Sequence, residues 1–428
     1  MATTYWQDSP STTTPLSAAN LNAREDSIVG RAYGTSFYDA GEVVATRPGL
    51  AASSTFSSGA TNFASNLQSV HVAIRDIHAV RLLYRNAHHE TDNTNNLTVK
   101  AQVSTGSSGA APFFPVFFRG SRSLVLEPGG WALSDPVHLG VAAGATFYVH
   151  TYQVAGTSQA GEKYIINHNT FLTGEFGNNT ASDQTGTQLT TGSVGGLMPS
   201  YIFAAAPARG RLPMFGFIGD SIVDGRNDTN QEGWAARGVK GTYGYIGAGL
   251  SSETLSSFAN AANSFKRRTF LQDVTAVLMQ HGINDISAAR TLVQMQTDHA
   301  TVRTAARRAG ASKIIASTLL PLTTSTDSWA TTANQTVTAN EGLRTAYNDW
   351  LRTVPSGIDY VFDAADVVET DSAGTLTRDG GRWGATYASA PIGGGGGADG
   401  VHPSIAGHAA IATAFASFLA ANPDARGI

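Results

Sequence analysis

Three stretches of this 428-residue chain carry side chains whose types and spacing could support acyl transfer. The first contains Ser221, which follows an unbroken apolar run ending in Gly219 and Asp220. Such a run predicts a parallel strand buried on both faces, and ligands bind at the carboxyl ends of strands in open α/β sheets. Ser221 is therefore a candidate nucleophile, with an ordinary helix N-cap as the alternative.

A serine nucleophile needs a base, a group that orients the base, and donors for an oxyanion. Asp399 precedes His402 by three residues, and Pro403 follows at a position suited to opening a helix. On a tight turn the carboxylate can reach Nδ1 of the ring and leave Nε2 free for the serine. The third stretch places Asn284 after a second buried apolar run, 274–279, where its amide could donate to the oxyanion.

Three short motifs occur in order along the chain: Gly-Asp-Ser-Ile at Gly219, Gly-x-Asn-Asp at Gly282 and Asp-x-x-His at Asp399. Together they resemble the GDSL or SGNH hydrolase family of esterases and lipases. The resemblance covers about residues 211–428. It implies a flavodoxin-like, three-layer α/β domain in the second half of the chain.

The same resemblance implies a role for each residue of the motifs. Ser221 would be the nucleophile, His402 the base and Asp399 the group that orients it. The family's oxyanion hole uses the backbone N–H of the nucleophile, a glycine N–H from a further motif and the asparagine side chain. Ser221 and Asn284 would supply the first and the last of these donors.

The further motif departs from the family pattern. The family usually shows Asn-x-Gly-x-x-Gly-[Asp/Glu]-Thr, whereas residues 247–254 read Gly-Ala-Gly-Leu-Ser-Ser-Glu-Thr, with Ser252 in place of the oxyanion glycine. The backbone N–H of Ser252 can still donate if the residue accepts the required dihedrals. If these demand a positive φ, Gly249 or a shifted loop must serve instead.

Composition excludes several functional classes. Charged residues make up 14% and the net charge is −4, which argues against a basic surface for nucleic acid. The absence of cysteine excludes disulfides, thiolate metal sites and cysteine catalysis. No Gly-x-Gly-x-x-Gly motif occurs in dinucleotide context, so we predict no cofactor. Loop 224–232 lacks the glycine and the terminal glutamate spacing of a calcium loop, so we predict a solvated loop beside the site and no metal. No apolar run could span a bilayer, and the first residues lack the features of a signal peptide.

The chain divides into three predicted parts. Residues 1–32 form an N-terminal attachment segment, in which 9–25 resemble the opening of bacteriophage tail and tail-fibre proteins; a frayed terminus is the alternative. Residues 33–207 alternate short β runs with turn residues, which predicts an all-β sandwich or jelly roll serving as a carbohydrate-binding module or a spacer. Residues 208–428 form the catalytic domain.

Local patterns give further expectations. Apolar residues predict a strand at 115–118, and helical periodicity predicts a helix within 288–308. Segment 173–196 is predicted as a mobile loop or an insertion, and a Thr/Ser-rich loop running through Thr336 could overhang the pocket. Five glycines at 393–397 predict a hinge or adaptable lid, with a surface linker as the alternative.

These observations predict a serine esterase that removes O-acetyl or similar small acyl groups from a bacterial surface polysaccharide as part of a phage tail. The predicted partners are the acylated polysaccharide and tail proteins. A homotrimer would suit a fibre tip, although no heptad repeat indicates one. The location would be a virion tail or the cell exterior, reached without a signal peptide, or the cytoplasm if the phage resemblance is wrong. The alternative functions are a lipase or arylesterase of broader specificity and a non-catalytic receptor-binding tail protein.

Overall fold

The computed structural model describes residues 53–55, 63–86, 95–155, 163–165, 174–192, 196–204, 213–229, 232–384 and 399–428. The predicted attachment segment at 1–32 and the five glycines at 393–397 lie outside these residues. The strands up to residue 204 pair antiparallel, and a parallel sheet begins at Met214.

The first part of the chain is all-β in the residues described. Its strands are β1 Ser53–Thr55, β2 Phe63–Val72, β3 Ile77–Arg85, β4 Leu97–Ser104, β5 Phe113–Pro115, β6 Leu124–Leu126, β7 Trp131–Leu133, β8 Val137–Val141, β9 Thr146–Ala155, β10 Lys163–Ile165, β11 Phe176–Asn178 and β12 Tyr201–Ala204. A 3-10 turn, Ser107–Gly109, follows β4.

Two antiparallel sheets of this part pack face to face. The larger has the order β11-β2-β9-β4-β5 with β6 beside β4, and the smaller has the order β12-β3-β7 with β8 beside β3. Alternate residues Leu97, Val99 and Ala101 of β4 share one apolar core with Val80 and Leu82 of β3. Alternation of this kind buries one face of each sheet. The all-β part fits the prediction, and its jelly-roll topology stays a prediction.

The segment predicted as a mobile loop, 173–196, is hydrogen-bonded to the larger sheet in its described part. Residues 174–192 include β11, which pairs with β2 at the edge of the sheet. The residues after β11 cross the face that points away from the shared core, where the Asn66 amide donates to the carbonyl of Thr180 at 3.1 Å. The Gln68 amide donates to the carbonyl of Gly174 (2.6 Å) and accepts from the backbone N–H of Leu189 (2.9 Å). Polar side chains of the sheet thus satisfy the backbone of a segment that has few apolar residues of its own.

The second part alternates strands and helices. Its strands are β13 Met214–Gly219, β14 Gly244–Gly247, β15 Ala276–Gln280, β16 Lys313–Ser317, β17 Thr323–Ser325, β18 Gln335–Val337, β19 Tyr360–Phe362, β20 Glu369–Thr370 and β21 Arg382–Trp383. Its helices are α1 Gly233–Val239, α2 Leu255–Ala259, α3 Ala261–Arg268, α4 Ile283–Ser287, α5 Leu292–Arg308, α6 Glu341–Arg352, α7 Ala364–Val368 and α8 Ile405–Ala421, with 3-10 turns at Thr269–Asp273 and Pro423–Arg426. No helix in the described stretches is long and apolar enough to cross a bilayer.

Five strands of this part form a parallel sheet in the order β14-β13-β15-β16-β19. Numbered along the chain this is 2-1-3-4-5, the order of flavodoxin-like sheets. Residues on opposite faces of β13 enter different cores: Ile218 packs in the cluster that contains Met295 of α5, and the ring of Phe215 lies 6.4 Å from that of Phe415 of α8. Helices therefore cover both faces, which confirms the predicted three layers.

Three local predictions differ from the structure. The strand expected at 115–118 is observed as β5, Phe113–Pro115; Val116 still donates to the Ala101 carbonyl of β4 at 3.1 Å, and Phe118 then leaves β4 to pair with Ser121 in an isolated bridge. The helix expected within 288–308 begins later, at Leu292, because Ala289 has a φ of 56° and Thr291 caps the helix that follows. The loop expected through Thr336 contains the hairpin of β17 and β18.

The two parts of the chain share a core. Leu83 of β3 and Tyr201 of β12 belong to the same apolar cluster as Phe258 of α2 and Leu271. Close by, the Arg85 guanidinium donates to the hydroxyl of Thr269 at 2.9 Å. The all-β part therefore packs on the helical layer that contains α2 and the turn after α3.

Candidate active site

Ser221 lies on a tight turn at the carboxyl end of β13, and only 6% of the residue is exposed. The backbone N–H of Ile222 donates to Oδ1 of Asp220 at 3.0 Å, which stabilises the turn. Gly219 permits the close packing beneath it, because a Cβ there would lie 2.7 Å from the carbonyl oxygen of Gln280. The structure thus places the hydroxyl at the sheet edge that the apolar run predicted.

Ser221, His402 and Asp399 form a continuous hydrogen-bonded row. Ser221 Oγ lies 2.6 Å from Nε2 of His402, and Nδ1 of His402 lies 2.7 Å from Oδ2 of Asp399. Partial burial opposes ionisation of Asp399, but hydrogen bonds from His402 and Val401 outweigh it and lower the pKa of Asp399 to about 2. An ionised carboxylate only accepts, so Nδ1 carries the proton and Nε2 can accept from the serine hydroxyl.

Gly400 fixes the turn that carries Asp399 and His402. Its φ is 68°, and a Cβ at this residue would lie 1.9 Å from the carbonyl oxygen of Thr323. The Gly400 carbonyl accepts from the backbone N–H of Thr323 (3.1 Å) and from the indole N–H of Trp383 (2.9 Å). The hairpin of β17 and β18, which the sequence analysis missed, therefore holds the turn in place.

His408 joins the turn of Ser221 to helix α8, which follows His402. Its Nδ1 accepts from the backbone N–H of Trp234 at 3.1 Å, and its Nε2 donates to the carbonyl of Arg226 at 3.0 Å. Burial lowers the pKa of His408 to about 3, so the ring stays neutral and can serve both roles. These contacts link residues far apart in the chain, and no local pattern indicates them.

The loop between β14 and α2 lies against the turn of Ser221. The backbone N–H of Leu250 donates to the carbonyl of Gly219 at 3.0 Å, and Gly249 packs closely on the backbone of Asp220. Ser252 has a φ of 66°, in the left-handed region that favours glycine. The sequence analysis expects Gly249 or a shifted loop to supply the N–H donor if a positive φ is required at residue 252. Ser252 itself adopts the positive φ.

Asn284 lies in the first turn of α4, after the carboxyl end of β15. Its Nδ2 donates to the backbone carbonyl of Glu253, next to Ser252, at 2.9 Å. The neighbouring Asp285 accepts from the backbone N–H of Leu255 (2.6 Å) at the start of α2. The two segments predicted to hold oxyanion donors are therefore joined directly by hydrogen bonds.

Comparison with known families identifies the second part of the chain. Residues 217–410 match the model of the GDSL-like Lipase/Acylhydrolase family, and this range contains all the motifs described above. The C-terminal half is a GDSL-like lipase/acylhydrolase domain.

Solved structures similar to this chain include several GDSL proteins. A GDSL-like lipase from Bacteroides thetaiotaomicron is 16% identical with a TM-score of 0.34, covering 49% of this chain and 88% of that chain. A carbohydrate acetylesterase family member from Sinorhizobium meliloti is 15% identical with a TM-score of 0.35, covering 49% and 97%. An active-site mutant of a family two carbohydrate esterase from Clostridium thermocellum is 12% identical with a TM-score of 0.35, covering 89% and 99%. No curated protein matches the chain.

The GDSL domain also contains a buried ion pair that the sequence analysis missed. The side chains of Arg267 and Glu253 are 0% and 1% exposed, and Nη1 of Arg267 donates to Oε2 of Glu253 at 2.6 Å. Nε2 of His281 lies 3.1 Å from the same oxygen. Burial would raise the pKa of Glu253, but the hydrogen bonds from Arg267 and His281 outweigh it and hold that pKa below its usual value.

Asp220, beside the candidate nucleophile, is a second buried carboxylate of the GDSL domain. It is 0% exposed, and within the described part of the chain its Oδ2 has no hydrogen-bond partner. Burial raises the pKa of Asp220 to about 6. The described residues contain no group of three His, Asp or Glu side chains arranged to hold a metal ion.

Proposed function

We propose that this protein is a serine esterase that acts through an acyl-enzyme. Ser221 is the nucleophile, His402 the general base and Asp399 the group that orients the ring. The observation that supports these roles best is the hydrogen-bonded row of the three side chains, with its distances of 2.6 and 2.7 Å. Such a row transfers the serine proton to an imidazole whose tautomer is already fixed.

In the first half of the reaction Ser221 attacks the ester carbonyl while His402 takes its proton. His402 then returns the proton to the leaving alcohol, and the acyl group remains on the serine oxygen. In the second half a water molecule attacks the acyl carbonyl and gives its proton to His402. The acid leaves as the serine oxygen recovers that proton.

The negative oxygen of each tetrahedral intermediate needs donors placed in advance. We assign the backbone N–H groups of Ser221 and Ser252 and the side-chain amide of Asn284 to this role. The Asn284 amide carries two hydrogens, so its bond to the Glu253 carbonyl leaves one for the substrate oxygen.

The proposed substrates are small acyl esters, in particular O-acetyl groups on a bacterial surface polysaccharide, and the proposed setting is a phage tail. The support is the resemblance of residues 9–25 to tail proteins, together with an all-β part before the GDSL domain. Tail proteins and further copies of this chain are the proposed partners, on the virion or outside the cell. A lipase or arylesterase of broader specificity is the alternative substrate class.

Hydrolysis of 4-nitrophenyl acetate tests the proposed chemistry. We expect Ser221→Ala to lower kcat by about 10⁴-fold or more, because the variant lacks the hydroxyl that His402 activates and cannot form the acyl-enzyme on it. The matched control is Ser417→Ala, which removes an exposed serine on α8 and should leave the rate unchanged. Equal rates for wild type and Ser221→Ala would reject the esterase and favour a receptor-binding protein without turnover.

The substrate class needs a separate measurement. Rates on 4-nitrophenyl esters from acetate to octanoate should fall with chain length, and acetate should be released from an O-acetylated bacterial polysaccharide, as followed by mass spectrometry of the glycan. Rates that rise with chain length, without acetate release, would favour the lipase alternative.

A further inference from the structure

The buried Arg267–Glu253 ion pair lies directly behind the proposed oxyanion donors. Glu253 follows Ser252 in the chain, and its backbone carbonyl accepts from the Asn284 amide at 2.9 Å. Its carboxylate receives the Arg267 guanidinium and the ring of His281, three residues before Asn284. One buried carboxylate thus contacts both segments that carry the donors.

Arg267 fixes the other end of the same loop. Besides its two bonds to Glu253, Nη1 of Arg267 donates to the carbonyl of Ala248 at 3.2 Å. The guanidinium lies 4.9 Å from the centre of the Phe258 ring, which restricts its position. The planar guanidinium of Arg267 therefore connects Ala248 with Glu253 and sets the shape of the loop between them.

The loop needs such support because Ser252 is held in an unfavourable conformation. A residue with a side chain at a φ of 66° is disfavoured and persists only where its surroundings determine it. Buried ion pairs add little to net stability compared with apolar residues of the same volume. A pair kept next to a strained loop is therefore better explained by the geometry that it imposes.

We propose that Arg267 and Glu253 are positioning residues that hold the Ser252 backbone N–H and the Asn284 amide toward the oxyanion. The inference rests on the proposed esterase function. Neither side chain touches the substrate, and both act through the loop and the amide that they fix.

The test compares kcat and KM for 4-nitrophenyl acetate, with active sites counted from the burst of acyl-enzyme formation. The double variant Arg267→Met/Glu253→Gln removes both charges, because either single change would leave one buried charge without a partner. We expect kcat per active site to fall about 10- to 100-fold while KM changes less than about 2-fold, since misplaced donors weaken only the transition state. A purely structural role would lower the number of active sites and leave kcat per site unchanged.

Two further variants give the comparison its controls. Arg344→Met/Glu369→Gln removes another buried Arg–Glu pair of the same domain, together with the contact of Arg344 to the partly exposed Glu341, and should leave kcat per site unchanged. Arg267→Lys keeps the charge but cannot bridge Glu253 and Ala248, so it should fold and lose about 10-fold in kcat. A folded Arg267→Lys with wild-type kcat would overturn the proposal.

A cycle with Asn284→Ala tests the route of the effect. If the ion pair acts through the donors, adding the double variant to Asn284→Ala should cost less than it costs in the wild type, because only the Ser252 N–H is left to misplace. Losses that simply multiply would overturn the proposed route. If wild type and Ser221→Ala hydrolyse the ester equally, the proposed function fails first and this inference fails with it.

Discussion

The two sides of the candidate site are built in different ways. The acid–base side comes from one turn, where Asp399, Gly400 and His402 are neighbours in the chain and the Asp399 side chain is 34% exposed. The proposed oxyanion side combines Ser252 and Asn284 from separate segments, which lie beside the almost fully buried side chains of Arg267 and Glu253. Substitutions on the first side should therefore change the reaction without unfolding the protein, whereas loss of the buried side chains on the second side should affect both the reaction and the folding.

Replacing the carboxylate of Asp399 should give the largest loss of kcat together with little change in stability. Asp399→Asn should lower kcat by about 10⁴-fold, because the amide no longer fixes the proton on Nδ1 of His402. The melting temperature should stay within a few degrees of wild type, as measured by thermal unfolding. If the activity falls only because less of the Asp399→Asn protein is folded, the two sides of the site do not differ in this way.

Gly400→Ala should disturb the acid–base side by moving it. The new Cβ would lie 1.9 Å from the Thr323 carbonyl, so the turn must shift, and we expect a loss of about 10²-fold in kcat. Gly241→Ala is the matched control, because Gly241 has a φ of 77° but nothing within 4 Å of the added atom. It should cost only about 1 kcal/mol of stability. Equal effects of the two variants on kcat would show that the contact with Thr323 is unimportant.

Titration of Asp220 and of Asp399 should change the free energy of unfolding with pH in opposite directions. Burial raises the pKa of Asp220 from 3.8 to about 6, so the native state binds this proton more tightly and loses stability as the pH rises from about 4 to about 6. Asp220→Asn lacks this loss, and its stability relative to wild type should increase by about 2–3 kcal/mol between pH 4 and pH 7.

At Asp399 the lowered pKa of about 2 gives stability above pH 4 that is lost as the pH falls toward 2. Urea unfolding of wild type and both Asn variants across this range measures both signs. A pH-independent difference between wild type and Asp220→Asn would mean that Asp220 titrates normally.

The smallest expected effect is at Ser252. Ser252→Gly should raise the free energy of unfolding by up to about 1 kcal/mol, because glycine adopts a φ of 66° without strain. Its kcat should stay within about 2-fold of wild type, since the backbone N–H is retained. Ser251→Gly on the same loop is the control and should be less stable than wild type, because it loses the hydrogen bond to Asp224. A destabilised Ser252→Gly would show that the side chain of Ser252 is needed.

The difference between the two sides also explains what could be predicted from the sequence. Local spacing was sufficient to pair Asp399 with His402 and to place Ser221 after a buried strand, whereas the contact of Ser221 with His402, 181 residues later, was expected only from the resemblance to the GDSL family. The role of Arg267 was hidden, because it contacts Glu253 fourteen residues earlier in the chain through a fold that no periodicity reports. Side chains that act only across the tertiary structure leave no local signal.

The hairpin of β17 and β18 was missed for a related reason. Its residues are rich in Thr and Ser and lack the alternation that marks a half-buried strand. Polar contacts hold it instead: the Asp327 carboxylate accepts from the Thr331 hydroxyl (2.7 Å) and the Asn334 amide (2.9 Å). The parallel sheet was predictable because its strands are continuous apolar runs.

The apolar cluster that Leu83 and Tyr201 share with Phe258 limits how this protein can be recombined. A cut near residue 207 would separate two halves that cover each other and would leave an exposed apolar surface on each fragment. Fusing the GDSL domain to a different neighbouring domain would require other apolar residues to cover that surface, so we expect the two halves to be inherited together.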